Sequence, residues 1–101
     1  MTQPGAPRPR RVTLGKNVVV QVIGGDALVL NLRDETVFSL NPTGARIAEL
    51  IGEEISLDAV VDALCHEYGA DREDVARDVD DLVSALLLRG LVVPAPDGEA
   101  S

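Results

Sequence analysis

The sequence predicts an α+β domain, a three-stranded antiparallel meander followed by three helices, and three observations carry that prediction. A β-branched run and a second apolar run flank Gly24-Gly25. The segment Phe38 to Ile51 passes from strand to helix with no room for a loop. From Pro42 onward, apolar residues recur at helical spacing, interrupted at Gly52, Gly69 and Gly90. A chain of 101 residues is enough for one domain with a single core and little to spare.

Each element has its own signal. Val18 to Ile23 is rich in β-branched residues, Ala27 to Leu32 is a second apolar run, and Gly24-Gly25-Asp26 supplies the positive φ of a tight hairpin. Arg33-Asp34-Glu35 makes a polar turn into a third strand, Thr36 to Leu40. Asn41 is a preferred N-cap, and Pro42 sits at the first helical position, where its missing N–H costs nothing. The helix from Pro42 to about Ile51 places Ile47, Leu50 and Ile51 at helical spacing, and Gly52 should stop it. A second helix starts behind Ser56, carries Leu57, Val61, Leu64 and Tyr68 on one face, and ends at Gly69. The third begins at Asp71, with Glu73 and Asp74 in its first turn, and runs to Arg89 before Gly90. Leu91-Val92-Val93 then packs back as a short extended segment. This order matches a winged helix-turn-helix-like domain over residues 17–93. The Pro- and Arg-containing stretch Met1 to Lys16, and Pro94 to Ser101, are expected to be disordered tails.

Charge narrows the partners. Between Asn17 and Val93 five arginines stand against fifteen acids, a formal charge of −10. Such a body repels phosphate backbones and attracts cationic partners. The single Phe and single Tyr give no stacking platform for bases. A DNA-reading third helix would need basic and amide side chains. This one offers Arg72, Arg77 and Arg89 against Asp71, Glu73, Asp74, Asp78, Asp80 and Asp81, the wrong sign for nucleic acid. No run approaches the roughly 18 apolar residues of a membrane span. The lone Cys65 excludes an internal disulfide and fits a reducing cytoplasm.

No catalytic or metal site is expected. Cys65 and His66 are helix neighbours that diverge by about 100° and cannot chelate one ion together. A free Cys at the edge of a buried arc behaves as a small hydrophobe. Gly24-Gly25 lacks the Walker pattern and leads into a strand, so it reads as a hairpin turn and no cofactor is implied.

The third helix is more informative. Val75, Val79, Leu82 and Leu86 form one stripe, and Ala76, Val83 and Leu87 widen it beyond what a single core contact needs. Its edge can line a groove with an apolar floor and acidic lips from Asp78, Asp80 and Asp81; the plainer reading makes all these side chains core and solvated rim. Thr36 to Leu40 carries neither the charge nor the Pro that usually blunts an edge strand, which favours an edge kept open for a partner.

The chain from about Val18 to Val93 resembles the PqqD-like family, the peptide-binding domains called RiPP recognition elements. The residues that carry the resemblance are Val29-Leu30-Asn31-Leu32, Thr36-Val37-Phe38-Ser39-Leu40-Asn41, Thr43-Gly44-Ala45-Arg46-Ile47 and Leu88-Arg89-Gly90-Leu91-Val92. The chain lacks the Pro-Glu-containing segment of pyrroloquinoline quinone members. It looks closer to the stand-alone recognition proteins of lasso-peptide pathways; service to another peptide-modifying enzyme, such as a radical SAM protein, is the alternative within the family. The resemblance implies a non-catalytic protein that binds a precursor leader peptide as an added antiparallel strand beside Thr36 to Leu40. The implied peptide-binding residues are Thr36, Val37, Phe38, Ser39 and Leu40 on the strand. On the helix they are Val75, Asp78, Val79, Asp81, Leu82 and Ala85. Charge complementarity adds the expectation of a leader with Lys or Arg flanking apolar anchors. The implied further partners are a leader peptidase and an ATP-dependent macrolactam synthetase. Outside the family, the same residues are compatible with a winged-helix DNA binder or with a scaffold that self-pairs along the open edge.

Overall fold

The computed structural model describes residues 9–95. Five strands and three helices run in the order β1 (Val12–Leu14), β2 (Val18–Ile23), β3 (Asp26–Asn31), β4 (Thr36–Leu40), α1 (Pro42–Gly52), α2 (Leu57–Tyr68), α3 (Arg72–Leu88) and β5 (Val92–Pro94). The predicted meander is present as an antiparallel sheet of order β2-β3-β4. Gly24 has φ +64° at the first position of the β2–β3 turn, the backbone that a two-residue hairpin requires there. The β3–β4 turn closes through Asn31, whose side-chain oxygen accepts from the backbone N–H groups of Arg33 and Asp34.

The predicted helix starts hold. Asn41 Oδ1 accepts from Gly44 N at 2.8 Å, and Ser56 Oγ accepts from Ala59 N at 3.1 Å. Asp71 occupies the N-cap position of α3 without a side-chain capping bond. Because the Asn41 bond satisfies an otherwise orphan donor at a part-buried corner, Asn41→Ala should lower stability by about 1 kcal/mol in urea denaturation. One helix end differs from expectation. Gly52 lies inside α1, and the left-handed turn falls on Glu54, with φ +62°. Its backbone is held on both sides: Glu54 N donates to Ile51 O at 2.9 Å, and Arg11 Nη1 donates to Glu54 O at 3.0 Å.

That arginine marks the main correction. The expected tail Met1 to Lys16 is not a tail from Val12 onward: β1 pairs antiparallel with β5, Val12 opposite Pro94 and Leu14 opposite Val92. Pro94 likewise belongs to β5 rather than to a C-terminal tail. The pairing is driven by burial, since Val12, Leu91 and Val92 are all almost fully buried. Backbone bonds from Gly15 N to Leu91 O, Leu57 N to Arg10 O and Ala95 N to Arg11 O extend the ladder and tie it to α2. The expectation for 1–8 and 96–101 falls outside the described residues.

One core joins the layers. Ala27, Val29 and Leu40 of the sheet meet Ile47 and Ile51 of α1, Val60 and Leu64 of α2, and Val79, Val83 and Leu86 of α3. No polar side chain is buried among the described residues.

Candidate functional site

β4 is an edge strand, bonded only to β3. The phase of the ladder determines which of its backbone groups are free. Leu32 N donates to Asn17 O at 2.8 Å, which extends the β2–β3 ladder by one hydrogen-bonded pair. Antiparallel pairs alternate between bonded and non-bonded, so Leu28 and Leu30 exchange bonds with β2, whereas Ala27, Val29 and Asn31 exchange bonds with Leu40, Phe38 and Thr36. Val37 and Ser39 therefore direct their N–H and C=O groups away from the sheet. Nothing in the described chain pairs with that edge.

Beside the edge lies a cleft of about 450 Å³, walled by β4, the first turns of α1 and the middle of α3. Phe38, Ser39, Leu40, Asp78, Asp81, Leu82 and Ala85, all named from the sequence, line it together. Four lining residues were missed: Asn41, Thr43, Gly44 and Ile47. They follow directly on β4, so the strand-to-helix corner itself was the available signal. Gly44 lets the corner close, because a Cβ there would stand 3.3 Å from the Leu40 side chain and from Asn41 Oδ1.

Thr36 and Val37 lie beyond the cleft, and Val37 is exposed on the opposite face of the sheet. Val75 and Val79 do not line it either; both are core residues. Helix geometry explains the division. With Leu82 as origin and about 100° per residue, Arg89, Asp78, Ala85 and Asp81 fall at roughly 20°, 40°, 60° and 100° to one side. Val75, Leu86, Val79 and Val83 fall at roughly 20°, 40°, 60° and 100° to the other. The broad apolar arc of α3 is thus a core half and a cleft half that meet at Leu82, and Val75 lies on the core side. Val75 instead borders a smaller neighbouring cavity of about 130 Å³ with Leu64 and Tyr68; that cavity shares Thr43, Ile47 and Asp78 with the cleft.

The charges around the cleft are unevenly neutralised. Away from it, Arg46 joins α1 to α2. Its Nε and Nη2 donate to the Glu67 carboxylate, the shorter at 2.6 Å, and its Nη1 donates to Glu49 Oε1 at 3.0 Å. These bonds hold the Glu67 carboxyl below its ordinary range and push the Arg46 guanidinium higher still. Arg72 pairs with Asp62 and Arg77 with Asp74. Asp78 and Asp81 have no ion-pair partner among the described residues. Arg89 has none either, and its guanidinium stacks over the Phe38 ring, 4.9 Å from the centroid.

The Glu67 shift fixes a sign. A carboxyl whose folded-state pKa is depressed adds stability above its unfolded pKa and loses it as pH falls through the folded one. Arg46→Met should therefore lose less stability than the parent when urea midpoints are compared between neutral pH and a pH below the usual carboxylate range. The exposure of the pair keeps the difference small.

Among the described residues no group of three His, Cys, Asp or Glu is placed to hold a metal ion, and Cys65 is a free, half-buried thiol. No helix is long and apolar enough to cross a membrane.

The family described as coenzyme PQQ synthesis protein D matches residues 26–92. Two solved structures are similar to the chain. TbiB1 in complex with the TbiA(beta) leader peptide is 34% identical with a TM-score of 0.74, the alignment covering 88% of this chain and 99% of that one. A lasso peptide synthetase B1 complexed with the leader peptide is 27% identical, also with a TM-score of 0.74, covering 83% and 99% respectively. No curated protein matches the chain.

Proposed function

Because the chain belongs to the PqqD family, as a PqqD-like RiPP recognition element, we propose that it binds the leader segment of a precursor peptide as an antiparallel strand added to β4. The observation that carries this reading is the unpaired edge of β4 beside the α3 cleft. The outward backbone groups of Val37 and Ser39 supply hydrogen bonds to the added strand, and every second side chain of that strand then faces Leu82 and Ala85. Affinity comes from the ladder, and specificity from what the cleft accepts. Asp78 and Asp81 favour a leader with Lys or Arg beside its apolar anchors, so that binding weakens with salt.

The leader complexes of both similar structures support this reading, and the likeness to a lasso peptide synthetase B1 supports the lasso class of product. The chain performs no chemistry of its own in this scheme. It works in the cytoplasm and presents the bound precursor to a separate leader peptidase, and through it to a macrolactam synthetase.

The test is a fluorescence titration, at two salt concentrations, of the synthetic leader of the precursor gene neighbouring this protein's own gene. Saturable, salt-weakened binding is the expected result, and absence of binding overturns the reading. Ser39→Pro sharpens the test. It removes an outward N–H and leaves the β3–β4 ladder intact, so the fold should persist. Affinity should drop about tenfold, from one lost hydrogen bond plus the pyrrolidine ring against the incoming backbone.

A further inference from the structure

The two ends of the cleft carry opposite charges that the protein does not neutralise itself. Asp78 stands at the α1 end, where it also borders the Tyr68 cavity with Thr43 and Ile47, and Asp81 lines the cleft one helical turn further along α3. Arg89 stands at the other end, over Phe38. None of the three has an ion-pair partner among the described residues. Stacking on Phe38 restrains the guanidinium of an otherwise exposed Arg89, so little side-chain freedom remains to be lost when it meets a carboxylate. The in-plane N–H donors of a stacked guanidinium stay available.

Resting on the leader-strand reading, we propose that Arg89 is a specificity-determining residue that takes an acidic side chain of the leader. That acid lies four residues C-terminal to a basic side chain held between Asp78 and Asp81. The spacing follows from two rises. Arg89 is 11 and 8 residues from the two aspartates, about 16 and 12 Å along a helix. A strand covers that span in roughly four to five residues, and only an even separation puts both side chains on the α3 side. The order follows from direction. Asp78 shares the Tyr68 cavity with Thr43 and Ile47 of α1, which follows directly on Leu40, whereas Arg89 lies over Phe38, so α3 runs from the Leu40 end of β4 toward Phe38. A strand antiparallel to β4 travels the same way, so it meets the aspartates first and Arg89 second.

The experiment is a charge-reversal matrix with the same synthetic leader. Each Lys or Arg of the leader is changed to Glu and each Asp or Glu to Lys, one at a time. Every variant is titrated against the parent protein, Arg89→Glu and the pair Asp78→Lys with Asp81→Lys. At low salt Arg89→Glu should weaken the unaltered leader about tenfold, because an attraction becomes a repulsion. One acid-to-Lys leader should be weak on the parent and regain affinity on Arg89→Glu. One base-to-Glu leader, altered four residues N-terminal to that position, should be rescued by the double Lys variant. A structural role for Arg89 would produce no such rescue. Unchanged affinity of Arg89→Glu, absence of rescue, or rescuing positions in the reverse order overturns the charge frame while leader binding to the parent stands. Failure of the parent to bind any leader overturns the leader-strand reading and the frame together.

Discussion

Replacing Ala85 with Trp should abolish leader binding while leaving the domain folded. Ala85 is half-buried, lies on the cleft half of α3 one turn beyond Leu82, and faces the inner side of β4 across the cleft. An indole there occupies the space that a side chain of an added strand would need. The cleft is about 450 Å³, so a ring of that size would fill much of its α3 side. A loss of at least about hundredfold in affinity is expected, equivalent to about 2.7 kcal/mol. The fold should tolerate the change, because the new ring extends into open space rather than into packed core, and helix propensity falls by only a few tenths of a kcal/mol. Ser84→Trp, one residue earlier on the exposed face, is the matched control and should bind as the parent does. Normal affinity of Ala85→Trp in an isothermal titration would remove the cleft from the binding surface and leave only the β4 edge.

The parts of this molecule that were legible in its sequence are those whose cause is local. Asn41-Pro42, Ser56 and Gly69 act within one helical turn of themselves, and each sits where the rules for helix ends place it. Gly24-Gly25 acts within a four-residue turn. The β1–β5 pairing was not legible because its cause is non-local: Val12 and Pro94 are 82 positions apart. Three residues are too few to show alternation, and the surrounding prolines and arginines read as a tail. The site divides along the same line. Periodicity set Asp78 and Asp81 beside an apolar stripe that holds Leu82, and the family resemblance added Ala85, but neither could say where core ended and cleft began. Only the seating of α3 against α2 and β4 decides that boundary, and it passes between Leu82 and Val75. Arg89 was visible as a charge at a helix end. Its place over Phe38 depends on how the end of α3 crosses the sheet, which no local pattern encodes.

Val12→Asp should unfold the protein, and this is the largest stability effect expected of a single substitution here. Val12 is 1% exposed, and its strand lies against α1 and pairs with β5. A carboxylate at this position would be surrounded by apolar side chains, with no cation among the core residues to meet it. Burying it uncharged still costs several kcal/mol, and burying it charged costs more. A domain of this size has about 5–15 kcal/mol in total. The strand would therefore detach rather than hold the charge. Detachment would also release the bonds that Arg10 and Arg11 make to Leu57, Ala95 and Glu54, which brace the start of α2, the end of β5 and the loop after α1. Since α1 carries Thr43 and Ile47 into the cleft, binding should fail together with stability. Val93→Asp is the discriminating comparison. Val93 is 40% exposed and lies on the outer face of the same small sheet, so its change should stay within about 0.5 kcal/mol of the parent. Circular dichroism of the two variants with urea denaturation separates the outcomes. A cooperative transition near the parent midpoint for Val12→Asp would mean that β1 is dispensable and that α1, α2, α3 and the three-stranded sheet stand without it.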